Sequence, residues 1–337
     1  MKATLVITIA LLCVILVACG GEPASPTPVP PTPTPAATPT PVPTPTPSAT
    51  DHIQSGIDYY NQEKPDEAVN EFKKALELEP DNPDAYRNLG VIYAEQGKWE
   101  EAAAVYEQTI RLDPTYGEAY GELAGVYNNL GRSEEAVAAG ERAIKLAPDY
   151  GSAHNNLGNA YKRQGRFNEA AAEYGKAIHL DPDDGMPHYN LGNLYAKQGE
   201  LEKAIDEWEK AIQLKPDYAS AYGNLGVAYI YLGRLDDAII SCQKALEFEP
   251  DAANIHNTLG LAYFKQGKDK EATAEWRETI RLDPNHADGH KNMGIIYAEQ
   301  DQKDEAIAEW ETYLQLIPPD APDRAKVAGW ISQLKGQ

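Results

Sequence analysis

Apolar residues return on a fixed beat along this chain. Prolines at 80, 114, 148, 182, 216, 250, 284 and 318 stand 34 residues apart, and the stretch before each carries two amphipathic patterns back to back. With the closing proline set as position 32 of its unit, the first pattern places apolar or aromatic residues at positions 4, 7 and 11 and a small residue at 8. In the fourth unit these are His154, Leu157, Tyr161 and Gly158. An i, i+3, i+4, i+7 stripe predicts a helix with one buried face. A glycine follows four residues after the aromatic of position 11 (Gly97, Gly131, Gly165, Gly199, Gly233, Gly267) and supplies the left-handed residue that lets the chain reverse. The second pattern holds alanine at position 20 (Ala68, Ala102, Ala136, Ala170, Ala204, Ala238, Ala272, Ala306) and often an aromatic at 24. It predicts a second helix pressed closely onto the first, stopped by the proline and a turn residue. A unit recurring at one spacing is a repeat array, which sets the fold class before local propensity is considered.

Eight units follow, at about 49–82, 83–116, 117–150, 151–184, 185–218, 219–252, 253–286 and 287–320. The outer ones depart from the plan, as units with one missing neighbour do. The first has Ser55 at position 7 and Glu63 in place of the turn glycine; the eighth has Asp301 there. The third has Ala124 at position 8 and Gly140 at 24, which predicts looser packing. A last helix, Asp323–Leu334, with Val327, Trp330, Ile331 and Leu334 on one side, is expected to cap the array.

Over residues 51–318 this plan resembles the tetratricopeptide repeat in its period, the small residue at 8, the alanine at 20 and the closing proline. The resemblance implies an all-α, right-handed superhelical solenoid of helix-turn-helix units with a C-terminal capping helix at 321–337. In such a solenoid the first helices line a concave groove that holds other proteins.

At about 100° per residue, positions 2, 5, 6, 9, 12 and 13 fall opposite the buried stripe and face that groove. In the two central units they include Asn155, Asn156, Asn159, Lys162, Arg163, Tyr189, Asn190, Asn193 and Lys197, with no acid among them. Position 6 is asparagine in five units: Asn88, Asn156, Asn190, Asn224 and Asn292. A carboxamide donates and accepts, so a row of them can pair with the main chain of an extended peptide. This is similar to the asparagine ladder of the repeat domain of O-linked N-acetylglucosamine transferases. The competing reading is that asparagine at this position is a habit of the repeat with no ligand attached. The lysine–asparagine set with which some family members clamp dicarboxylate chain ends does not occur in any three consecutive units.

Charge and cysteines narrow the chemistry. A formal net charge of -22 argues against nucleic acid and against docking on an anionic membrane surface. Cys13, Cys19 and Cys242 make neither a disulfide framework nor a metal set. Cys242, at position 24, reads as a small core residue. Twenty tyrosines against four phenylalanines suggest partly exposed rings with a polar tip. His52, His154, His188, His256 and His290 all occupy position 4, where a ring fills a packing site. No phosphate loop, zinc signature or hydrolase elbow is present, and the repeats leave no residues for a catalytic domain. The expectation is a non-enzyme without cofactor or metal.

Before the repeats, Lys2 and the apolar run Ala3–Ala18 suit a signal peptide over residues 1–18, being short for a membrane span. The run ends in Leu16-Val17-Ala18-Cys19, followed by Gly20 and Gly21, which resembles the lipobox of bacterial lipoproteins. The resemblance implies a lipid on Cys19 and a chain held at a membrane, facing away from the cytoplasm. Residues 19–50 are then a linker whose alternating prolines and threonines form neither helix nor sheet, an extended spacer. The expected function is a lipid-anchored extracytoplasmic adaptor that binds a polypeptide segment, acidic in character, in its groove. Assembly of an envelope complex, an accessory role in cell-wall or glycan processing, and self-association through a convex tryptophan-bearing side are the alternatives.

Overall fold

A computed structural model describes residues 46–336. The signal segment, Cys19 and most of the Pro/Thr linker lie outside the described residues. Among those described, seventeen α-helices follow one another with no strand. The first sixteen form eight pairs: α1 Ala49–Asn61 with α2 Pro65–Leu78, α3 Pro83–Glu95 with α4 Trp99–Leu112, α5 Gly117–Asn129 with α6 Ser133–Leu146, α7 Gly151–Arg163 with α8 Phe167–Leu180, α9 Gly185–Lys197 with α10 Leu201–Leu214, α11 Ala219–Tyr231 with α12 Leu235–Phe248, α13 Ala253–Lys265 with α14 Asp269–Leu282, and α15 Ala287–Glu299 with α16 Lys303–Leu316. Helix α17, Arg324–Lys335, closes the array and buries Val327 and Ile331 on the last pair. This is an all-α helical repeat solenoid.

Local chemistry sets the ends of these helices. Helix α1 begins two residues before the composition change at Asp51, because Ser48 and Asp51 form a reciprocal capping box. At the turn inside each pair, the N–H three residues past the helix end reaches back to the carbonyl of position 11, as in Lys98 to Tyr93 at 2.8 Å. The intervening Gly97 has φ 69°. In the outer pairs Glu63 and Asp301 take the same turn with φ of 60° and 59°, where a side chain is strained.

The two helices of a pair meet through a window at position 8. A Cβ on Gly158 would lie 2.7 Å from Tyr174 Cε1, and one on Gly260 2.6 Å from Trp276 Nε1. The position-24 rings therefore cross the first helix where it has no side chain. Trp208, Trp276 and Trp310 are buried by this arrangement, while Trp99 and Trp330 stay partly exposed. The third pair is as closely packed as any, against expectation. Gly140 receives Leu157 from the next repeat, and the steric exchange of Ala124 for glycine is absorbed there.

Successive first helices touch one another (α1 with α3, α3 with α5, α5 with α7, α7 with α9, α11 with α13, α13 with α15), and no pair of successive second helices makes a comparable contact. The array therefore curves with its first helices on the inner side. The contact is closest between α5 and α7. There Gly121 admits Ala153 and Tyr150, and Gly125 admits the Asn156 amide, so these glycines bring repeats together rather than widening the groove.

Candidate functional site

The inner face carries the polar residues of positions 5, 6, 9, 12 and 13, and their first duty is to join repeats. Asn156 Nδ2 donates to the Gly121 carbonyl at 3.0 Å, Asn190 to Asn155 Oδ1 at 3.0 Å, Asn224 to Asn193 Oδ1 at 2.8 Å, and Asn292 to Asn257 Oδ1 at 3.0 Å. Four of the five position-6 asparagines thus bond to the preceding repeat. Asn155 and Asn190 are consequently buried, 5% and 9% exposed, instead of lying open in the groove. Position 5 sits at the edge where two first helices meet, which the angular reading did not resolve. Asn193 also accepts from Trp208 Nε1 at 3.1 Å, and Asn159 Oδ1 accepts from the Tyr174 hydroxyl at 2.7 Å. Tyr189 leans on Tyr218, with ring centroids 4.6 Å apart, and takes a long contact from Asn224. Asn88 makes no rung and lines a separate cavity near the N-terminal end of the array.

What remains open is concentrated between repeats 3 and 5. A cleft of about 400 Å³ is lined by Gly125, Asn128, Asn129, Asn155, Asn156, Asn159, Lys162, Arg163 and Met186. The Asn128 carboxamide oxygen is buried there without a partner, while its Nδ2 donates to the Asn156 carbonyl at 2.8 Å. Among the described residues no carboxylate lies within ion-pair distance of Lys162, Arg163 or Lys197, and the Lys197 ammonium stands 5.2 Å from the centre of the Phe167 ring. Burial, followed by the neighbouring charges of Arg163 and Lys197, holds the Lys162 ammonium below its ordinary value. An anion entering the cleft would relieve both effects.

One flanking region was not singled out by the sequence reading. Beyond the cleft, Val227 and Tyr231 stand 41% and 78% exposed beside a cavity of about 270 Å³ that includes Ala196 and Leu201. The signal was present at position 9, which reads Ile57, Val91, Gly125, Asn159, Asn193, Val227, Leu261 and Ile295, apolar at both ends of the array and polar at the centre. On the other side, Arg87 lies 3.6 Å from Glu118. Burial works against its charge, but Tyr116, Glu118 and Glu122 outweigh it and hold the guanidinium above its ordinary value.

The position-4 histidines are packing residues with a polar task. His154 Nδ1 lies 2.6 Å from Glu173 Oε2, and the other four make the same contact to the glutamate 19 residues on. Cys242 is fully buried, with its thiol pushed up to about 12 by burial and then by Glu275. The described residues contain no cluster of three metal-ligating side chains. The inner face thus presents amides, cations without a carboxylate partner and an apolar shelf.

Comparisons with known proteins agree with this architecture. Profiles described as "Tetratricopeptide repeat" match residues 53–117, 93–151 and 139–172, and one described as "TPR repeat" matches 158–199, 192–230, 228–267 and 260–301. A search of curated proteins returns no match. Among solved structures, "Crystal structure of APC/C hetero-tetramer Cut9-Hcn1" is similar with a TM-score of 0.65 and 18% identity over 84% of this chain. The chain spans 55% of that protein's length, and the likeness is one of fold. "Crystal structure of YrrB: a TPR protein with an unusual peptide-binding site" aligns at TM-score 0.48 and 22% identity, covering 58% of this chain and 99% of that one. "Crystal structure of MamA" aligns at 0.45 and 26%, covering 48% and 94%.

Proposed function

Since the chain belongs to the tetratricopeptide repeat family, we propose that it is a protein-interaction adaptor that holds an extended polypeptide along the inner face of the solenoid. An acidic residue of that segment sits over repeats 4 and 5, and an apolar side chain rests on Val227 and Tyr231. One observation carries this reading: Lys162 and Arg163 line an open cleft, Lys197 stands near Lys162, and none of the three has a carboxylate partner, in a chain of net charge -22. Three unpaired cations side by side repel one another and are retained here without an internal counter-charge, which is the arrangement expected of a surface whose counter-charge arrives with the partner.

The mechanism is preorganisation. The asparagine rungs and glycine windows fix the groove before anything binds, so ordering entropy falls on the flexible partner alone. Asn156 and Asn159 each spend one amide atom within the protein and keep the other for the partner's main chain. We further propose that Cys19 carries a lipid and the Pro/Thr linker spaces the solenoid from a membrane on its extracytoplasmic side, a reading supported by Leu16-Val17-Ala18-Cys19 after the apolar run. The direct test of the groove is binding of an acidic peptide to wild type and to the Lys162→Gln/Arg163→Gln/Lys197→Gln variant. Unchanged affinity in the variant would remove the groove reading.

A further inference from the structure

In five of the eight units the residue at position 24 delivers a polar group to the groove floor, and one of the five leaves it unmatched. Where position 24 is tyrosine or tryptophan, the ring crosses the position-8 glycine and its polar end reaches the groove side of the first helix. Tyr174 there donates to Asn159 Oδ1 at 2.7 Å and Trp208 to Asn193 Oδ1 at 3.1 Å. Trp276 and Trp310 donate to the main-chain carbonyls of Asn257 and Lys291 at 3.2 Å and 3.1 Å. In repeat 2, Tyr106 crosses Gly90 and is 1% exposed, but position 9 is Val91, which offers no acceptor, and the hydroxyl has no partner. The buried Nε of Arg87 has none either. Among the described residues only three buried side-chain polar atoms are unpartnered, and the residues that carry these two line one cavity of about 490 Å³ across repeats 1 to 3. A buried donor left unmade costs about 1–3 kcal/mol, so two at one site call for an acceptor.

We propose that this cavity is a subsite for a carboxamide, the side chain of an asparagine or glutamine in the bound segment. This rests on the groove reading above. The ligand's carbonyl oxygen accepts from the Tyr106 hydroxyl and Arg87 Nε. Its NH₂ donates to Glu95 and Glu122, which each take one tyrosine hydroxyl, from Tyr60 and Tyr150, and keep a second oxygen. Ile57 and Val91 supply the apolar wall for the methylenes. A carboxylate satisfies the two donors but meets Glu95, Glu118 and Glu122. An ammonium group satisfies the carboxylates but leaves both donors unmade and faces Arg87. A hydroxyl or a neutral imidazole has one N–H or O–H to give and serves only one of the two carboxylates, whereas the carboxamide serves both donors and both carboxylates.

A positional-scanning library of twelve-residue peptides, each carrying an acidic residue for the central cleft, tests this on the full-length protein. Wild type should enrich glutamine or asparagine over alanine at one position by roughly tenfold, the worth of about one hydrogen bond. Val91→Asn places under Tyr106 the acceptor that repeats 4 and 5 already have, and Tyr106→Phe removes the donor. Both should lose that enrichment, keep the acidic preference and retain wild-type helicity. Val91→Asn should also melt higher, which separates closing of the subsite from damage. Enrichment of acidic or basic residues at that position, no enrichment, or enrichment that survives in both variants would overturn the proposal. Failure of wild type to retain any peptide would overturn the groove reading on which it rests.

Discussion

His154 Nδ1 and Glu173 Oε2 lie 2.6 Å apart in the buried seam between the two helices of repeat 4, and Lys176 reaches the same carboxylate at 2.8 Å. His154 Nε2 faces the Pro148 carbonyl at 3.0 Å, so the ring ties position 4 both to its own second helix and to the loop that precedes it. Replacing only one partner strands a buried polar group. His154→Phe should cost about 2–3 kcal/mol and His154→Phe/Glu173→Leu much less, because removing both partners removes the desolvation penalty. Denaturant melts of the two variants measure the difference; equal losses would mean that the ring acts by volume alone.

The same pairing gives the array an acid limit. Burial pushes the Glu207 carboxyl up, but hydrogen bonds from His188 and Lys210 outweigh it and hold it below 4.5, its ordinary value; Glu71 is lowered by Lys74 and then His52. A carboxyl whose folded value is depressed contributes stability that is present above its unfolded value and lost as pH falls through the folded one. The melting temperature should therefore fall as pH drops below about 4.5, and His188→Gln should flatten part of that slope. Circular dichroism melts from pH 6 down to 3 check it, and a His188→Gln curve parallel to wild type would contradict it.

Position 8 should tolerate no added methyl where position 24 is aromatic. Gly158→Ala places a Cβ against the Tyr174 ring and should cost about 1–3 kcal/mol through overpacking. Gly175, on the outer side of α8 with nothing near its missing Cβ, should gain a few tenths on replacement by alanine. The two substitutions in one background, read by thermal melts, should move in opposite directions.

Glu63 and Asp301 take left-handed turns that six other repeats give to glycine. Glu63→Gly and Asp301→Gly should each raise stability by about 1 kcal/mol, less the extra freedom of glycine in the unfolded chain. Hydrogen exchange would place the gain in the terminal repeats, and uniform protection changes along the array would speak against a local strain.

Much of this molecule was written in its period. Proline at 32, glycine at 15 and alanine at 20 fix helix lengths, turns and pairing because each acts through the backbone or through size, and neither depends on distant partners. The groove was only half legible. An angular projection of one helix assigns Asn155 and Asn190 to an open face, but each is buried by a neighbouring repeat, where Asn190 at position 6 closes over Asn155 at position 5 of the repeat before it. The packing of repeat 3 was misjudged for the same reason: Leu157, outside the unit, fills the place of its missing ring. The unmatched Tyr106 appears only when the acceptor at position 9 is compared across repeats.

The central claim is that the cations of repeats 4 and 5 receive an acidic partner segment. Fluorescence anisotropy of a labelled peptide with two aspartates, against its asparagine analogue, measures it on the full-length protein. The account predicts at least tenfold tighter binding of the acidic peptide, weakening with salt and as pH rises past the depressed Lys162 value, and loss of the difference in Lys162→Gln/Arg163→Gln/Lys197→Gln. Equal affinity for the two peptides, or an acidic preference that survives the triple substitution, would contradict it.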